Sequence, residues 1–297
     1  MTLPLHEQLL RKAKSGVVVR IGDQNLTLRV HVYSDKHPLA PSVEQSSSAH
    51  MVEISRKAFG EDETRIALGD NPVEGVKRFF HGNLTHYLFF LENHSGKPLA
   101  YAQVAVSEPR KSAYYTSAAI SPEAQGKGTY ELLNVLRAAA CARHLGNSRN
   151  FHVSTRSENP KVIMHYSTRG WFPSLRRGKV VFSEQHRRGL KHARLAFLTG
   201  RLGESPSQAR AGDALHQAIN LYKTGPAESG AYSGKLAAVE PDARAKALLD
   251  QVEVTDKGEK RKFDAAKGDS LYLVTSSANL KKWLATQRNF IKTTLET

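Results

Sequence analysis

Cysteine is almost missing from this chain: Cys141 stands alone among 297 residues. No internal disulfide can form, which suits a reducing compartment. Long apolar runs are missing too. None approaches the ~18 residues that a spanning helix needs, so no membrane span is expected. The opening Met1-Thr2-Leu3-Pro4-Leu5-His6-Glu7 lacks a basic stretch followed by an apolar one, so no Sec-type leader is expected. These absences together predict a cytoplasmic location. Two phosphate signatures are also lacking. There is no Gly-x-x-x-x-Gly-Lys-Ser/Thr, and no Gly-x-Gly-x-x-Gly after the first strand of a doubly wound pattern. P-loop and dinucleotide chemistry are thereby set aside, and no metal site is expected.

Acidic residues are in deficit. Lys and Arg number 43 against 28 Asp and Glu, a formal charge of +15. The excess is spread along the chain with no long block of one sign. Such a surface attracts polyanions, among them nucleic acid, an acidic protein, an anionic membrane or the phosphates of a cofactor. A soluble protein that is merely basic has the same composition. Hydrophobic residues at 40% are ordinary for a globular chain long enough to bury a core.

The pattern of residues then gives elements. Leu26–Tyr33 alternates and reads as a strand. Asp35–Ser48 is polar with two prolines and reads as a loop. Met51–Phe59 has helical spacing, and Asn71-Pro72 opens a short helix with Asn71 as N-cap. Tyr87–Leu91, Leu99–Val106 and Ala113–Ile120 read as three strands with short links, an antiparallel meander. Glu131–Leu145 is a helix with Leu133, Leu136 and Ala140 on one face, closed by Gly146. Phe151–Thr155 reads as a strand parallel to the one before it, Lys161–Thr168 as a helix and Val180–Phe182 as a strand. Beyond residue 200 the pattern thins. Asp213–Tyr222 and Pro241–Leu249 read as helices, and Val252–Val254 and Leu271–Thr275 as strands. Asn279–Leu295 reads as one amphipathic helix whose Lys281, Lys282, Trp283, Arg288, Phe290 and Lys292 suit either docking or nucleic acid.

The segment Ile120-Ser121-Pro122-Glu123-Ala124-Gln125-Gly126-Lys127-Gly128-Thr129-Tyr130 carries the most chemistry. A glycine turn leads straight into a helix, whose first-turn N–H groups lack intrahelical partners and carry the positive dipole end. Gly126 and Gly128 let a phosphate approach the backbone, and Lys127 adds a cation. The pattern fits a pyrophosphate cradle; a plain glycine turn would look alike.

These residues resemble the GNAT superfamily of N-acetyltransferases. The family pattern Gln/Arg-x-x-Gly-x-Gly/Ala ends its fourth strand, and Gln125 and Gly128 match it. A second family pattern is met by Asn159, Tyr166, Gly170 and Trp171, one helix and one strand later. The resemblance spans about residues 25–200. It leaves residues 1–24 as an N-terminal segment and 201–297 as a basic extension. It implies an α/β fold: a mixed central sheet with flanking helices, with a small α/β extension after it.

The resemblance also implies an acyl-CoA-dependent N-acyltransferase, most simply using acetyl-CoA. An amine on a protein, a small molecule or an aminoacyl-tRNA would attack the thioester directly. Backbone groups of Ala119 and Ile120 would hold the pantetheine arm as an added strand. Backbone N–H groups of Gln125, Gly126, Lys127, Gly128, Thr129 and Tyr130 would hold the pyrophosphate. Asn159 would contact the pantetheine, and Tyr166 would protonate the departing thiolate. Two departures stand out. Tyr130 replaces the family's Gly or Ala, and Ala113–Ile120 holds no carboxylate to serve as base. Glu108, His152 and His86 are the candidate substitutes. A GNAT-shaped module without turnover, binding RNA or an acidic protein, is the alternative.

Overall fold

The computed structural model describes residues 3–61, 70–77, 84–107, 112–145, 152–157, 171–173, 253–256, 259–262 and 271–296, with residues 64, 80, 162, 165, 166 and 169. The chain divides into two compact units. The first is Met1–Val153 with Leu280–Thr297, and the second is Ser154–Asn279.

The first unit is built on five antiparallel strands in the order β1 (Val17–Ile21), β2 (Gln24–Tyr33), β3 (Thr85–Glu92), β4 (Pro98–Ser107) and β5 (Ser112–Ile120). Each strand pairs with its sequence neighbour; short links join β1 to β2, β3 to β4 and β4 to β5, while the β2–β3 connection carries two helices among the described residues. Every residue of β4 is buried, so this strand is covered on both faces. On one face α2 (Pro41–Phe59) and α3 (Pro72–Lys77) lie over Tyr33, Leu88, Phe90 and Tyr101. On the other, α4 (Thr129–Leu145) packs on β4, and α1 (Leu5–Ser15) packs on α4 and β2. Leu132, Leu133, Val135 and Leu136 of α4 and Leu9 and Leu10 of α1 are sealed from solvent. Burial of such side chains contributes ~1.5–3 kcal/mol each before the opposing loss of chain entropy.

Three sequence expectations are corrected here. α1 and β1 precede the first expected strand, with Gly16 at φ 85 separating helix from strand. The stretch expected to be a loop up to Ser48 is helical from Pro41. Proline fits a helix's first turn, where its missing N–H is not needed. Ser48 is buried with its hydroxyl satisfied, donating to the Glu44 carbonyl at 2.8 Å, so a polar composition conceals a helix that faces the sheet. The C-terminal helix is two: α5 (Ser277–Thr286) and α6 (Arg288–Leu295), broken at Gln287. Leu280, Leu284 and Ile291 are buried and Trp283 and Phe290 half-buried, while Lys281, Lys282, Arg288 and Lys292 are exposed. The apolar side of α6 is therefore docked in the first unit, against α1 and β1.

In the second unit β7 (Phe172–Pro173) pairs antiparallel with β10 (Leu271–Ser276), and β8 (Glu253–Asp256) with β9 (Glu259–Lys262). β6 (His152–Ser157) begins at the boundary of the units. The expected strand Val180–Phe182, the helices Asp213–Tyr222 and Pro241–Leu249, and the boundary near residue 200 lie outside the described residues.

Candidate cofactor cradle

The candidate site starts where β5 ends. The Ser121 N–H still donates to Leu99 of β4 at 2.8 Å, and a single 3-10 turn, Pro122–Ala124, follows. Two side chains then fix the loop. Gln125 Nε2 reaches back to the Ile120 carbonyl at 2.9 Å, and Thr129 Oγ1 donates to the Ala124 carbonyl at 2.6 Å. The motif's glutamine thus acts here as a brace between the strand end and the turn. Gly126 and Gly128 stand at φ 74 and φ 91, a region that side chains strain to occupy. Both are exposed, and a Cβ at Gly126 would meet nothing within 4 Å. The Leu132 N–H closes the first turn of α4 on the Gly128 carbonyl at 3.0 Å. The loop therefore delivers an exposed backbone arch to the positive end of a 17-residue helix.

The other side of the arch is closed. A Cβ at Gly128 would lie 3.8 Å from Phe290 of α6 and 3.9 Å from Ile21 of β1. The β1–β2 turn, Gly22-Asp23, lies under Lys127, whose Nζ is 3.0 Å from Asp23 Oδ1. That ammonium, donating to the carboxylate, holds Asp23 below the usual carboxylate range. Of the expected cradle residues, Thr129 is buried in the first turn of α4, Tyr130 is half-buried, and Gln125 is exposed.

Upstream, Ala119 and Ile120 pair with Tyr101 and Ala100 of β4. Further back the β4–β5 register slips by one residue opposite Gln103, a bulge that turns the strand locally. Thr116 Oγ1 bonds Gln103 Oε1 at 2.7 Å, and Gln103 Nε2 bonds the Tyr33 hydroxyl. The buried Tyr101 hydroxyl meets Ser55 of α2 at 3.0 Å. This polar layer inside the sheet was missed in the sequence. Its signal was one glutamine within the apolar run Leu99–Val106.

Tyr166 is buried in the second unit, its ring 4.7 Å from that of Trp171, whose N–H donates to the Tyr166 carbonyl at 3.1 Å. His86 on β3 is buried and stacks on Tyr33 at 5.0 Å, and among the described residues neither ring nitrogen has a hydrogen-bond partner. Burial pushes its pKa down to about 4, which makes it a weak proton acceptor at neutral pH. Asn159 and Glu108 lie outside the described residues, and of the His152 side chain nothing is described. Tyr114 is half-buried on β5. Among the described residues no group of His, Cys, Asp and Glu could hold a metal, and no helix is long and apolar enough to cross a membrane.

Neither protein-family profiles nor curated proteins match the chain. Solved structures do show likenesses. Tetrahymena GCN5 is similar at 12% identity over 50% of this chain and 81% of its own, with a TM-score of 0.34. A putative acetyltransferase of the GNAT family from Desulfovibrio desulfuricans has 13% identity over 52% and 89%, with 0.36. PaiA N-acetyltransferase from Thermoplasma acidophilum, in complex with coenzyme A, has 8% identity over 49% and 91%, with 0.32. On its own topology, an antiparallel meander running through a glycine arch into a helix, the chain has a mixed α/β fold.

Proposed function

We propose that this protein is an acyl-CoA-dependent N-acyltransferase, most simply an acetyltransferase acting on an amine. The observation that carries the reading is the arch itself. Gly126 and Gly128 at positive φ, braced by Gln125 and Thr129, present exposed backbone at the N-terminus of α4. Pyrophosphate is the group that such an arch suits. The pantetheine arm would follow the Ile120 and Ala119 backbone, and Asn159 would bond its amides. The domain so formed covers about residues 25–200.

In the reaction the amine nitrogen attacks the thioester carbonyl, and a C–N bond forms as the C–S bond breaks. The Tyr166 hydroxyl gives its proton to the departing thiolate, and water takes the surplus amine proton. Positioning and proton transfer supply the rate enhancement, with no covalent enzyme intermediate. The test is acceptor-dependent release of free CoA thiol. Tyr166→Phe should lower kcat by about 10²–10⁴-fold with KM for acetyl-CoA unchanged, the range for loss of a general acid. Equal kcat in the two proteins would remove Tyr166 from the mechanism. A second reading is supported by the lack of a carboxylate on β5: a domain that binds CoA without turnover. It predicts cofactor binding and no thiol release with any amine.

A further inference from the structure

The arch lies against the two ends of the chain, and that contact bears on affinity. The β1–β2 turn approaches Lys127 closely enough that a Cβ on Gly22 would meet Lys127 Cβ at 3.5 Å and its carbonyl oxygen at 3.7 Å. The backbone of the turn is thereby held against the base of the arch. From that turn the Asp23 carboxylate reaches Lys127 Nζ at 3.0 Å. Lys127 is the one cation between the two cradle glycines. Its side chain is 32% exposed and that of Asp23 is 78% exposed. An exposed carboxylate on a turn can swing into water at small cost, because exposed ion pairs are weak. The opposite wall is less yielding. Phe290 and the buried Ile21 stand behind Gly128, and α6 is anchored there through Ile291. Incoming phosphates therefore meet Lys127 from the open side of Gly126, and Asp23 is already on that ammonium.

We infer that Asp23 is an internal competitor for the cofactor's phosphates, so that the β1–β2 turn sets the affinity of the cradle. This inference rests on the acyl-CoA reading. It adds an affinity-determining residue about a hundred positions from the glycine motif, in a turn that precedes the resemblance. Binding breaks one ion pair and makes another at the same Nζ, so the net gain from Lys127 is smaller than that from an unengaged lysine. Asp23→Asn keeps the shape and the turn preference of the residue while removing its charge.

The test is a calorimetric titration of coenzyme A into the full chain, as wild type, Asp23→Asn, Lys127→Ala and the double variant. Asp23→Asn should bind about two- to fivefold tighter, the scale of an exposed pair. In the Lys127→Ala background that gain should vanish, since the two residues act on one contact. Equal or weaker binding by Asp23→Asn, with wild type still binding, overturns the inference and leaves the cofactor reading intact. A gain that persists undiminished without Lys127 also overturns it, since Asp23 would then act as a distant charge. No binding by any of the four overturns both.

Discussion

Gly126 offers the cleanest way to place a charge in the cradle. Gly128 is a poorer choice. Any side chain there is strained at φ 91 and grows toward Phe290 and Ile21, so lost binding would mix misfolding with repulsion. At Gly126 φ is 74 and a Cβ meets nothing within 4 Å. Asn and Asp tolerate the left-handed region best among side-chain-bearing residues and are nearly isosteric. Gly126→Asn and Gly126→Asp therefore share whatever strain exists and differ in charge. With a carboxylate about 5–7 Å from the phosphates and an effective dielectric of roughly 40–80, each charge pair repels by about 0.6–1.7 kcal/mol. Two phosphate charges bring this to about 1–3 kcal/mol, or roughly 5- to 150-fold in Kd between the variants. Calorimetry with coenzyme A measures the difference. It should shrink as salt is raised, because the loop is exposed. Equal affinity of the Asn and Asp variants at low salt would show that the phosphates do not lie on this arch.

Two further outcomes test the fold around the site. Burial holds His86 near pKa 4 in the folded chain against 6.5 otherwise, so the unfolded chain binds the proton first as pH falls. The stability that His86 contributes is therefore present above about pH 6.5 and lost between there and pH 4, by about 1–3 kcal/mol. Denaturant melts of His86→Phe should show a flatter dependence than wild type across that window, and parallel curves would contradict the burial argument. Ile291→Ala, in the docked α6, should cost about 2–5 kcal/mol, while Lys292→Ala on its exposed side should stay within about 0.5 kcal/mol. Matching melting temperatures for the two would mean that α6 is not held by its apolar side.

What the sequence made legible follows from range. The meander, α4 and the glycine turn rest on local rules: alternation, short links, helical period and the positive φ that glycine supplies. Each could be read within a dozen residues. The start of α2 escaped because its buried serines bond to their own helix, as Ser48 does to Glu44, and polarity then misleads. The break at Gln287 escaped because the apolar spacing of Leu280, Leu284 and Ile291 continues almost in phase across it. α1 and β1 were overlooked although Val17–Ile21 followed by Gly22-Asp23 is a hairpin signal. Long-range partners left no local trace. Asp23 meets Lys127, Phe290 backs Gly128, and Gln103 joins Tyr33 to Thr116. Only tertiary folding brings those pairs together, and the first two flank the cradle that the motif made visible.

The most direct test of the account is the titration of acetyl-CoA into the wild-type full chain. Saturable one-site binding in the micromolar range, weakened by Gly126→Asp and kept by Gly126→Asn, is the predicted result. Absence of binding at millimolar acetyl-CoA, from protein shown to be folded, would contradict the assignment of the arch as a cofactor cradle and the acyltransferase function with it.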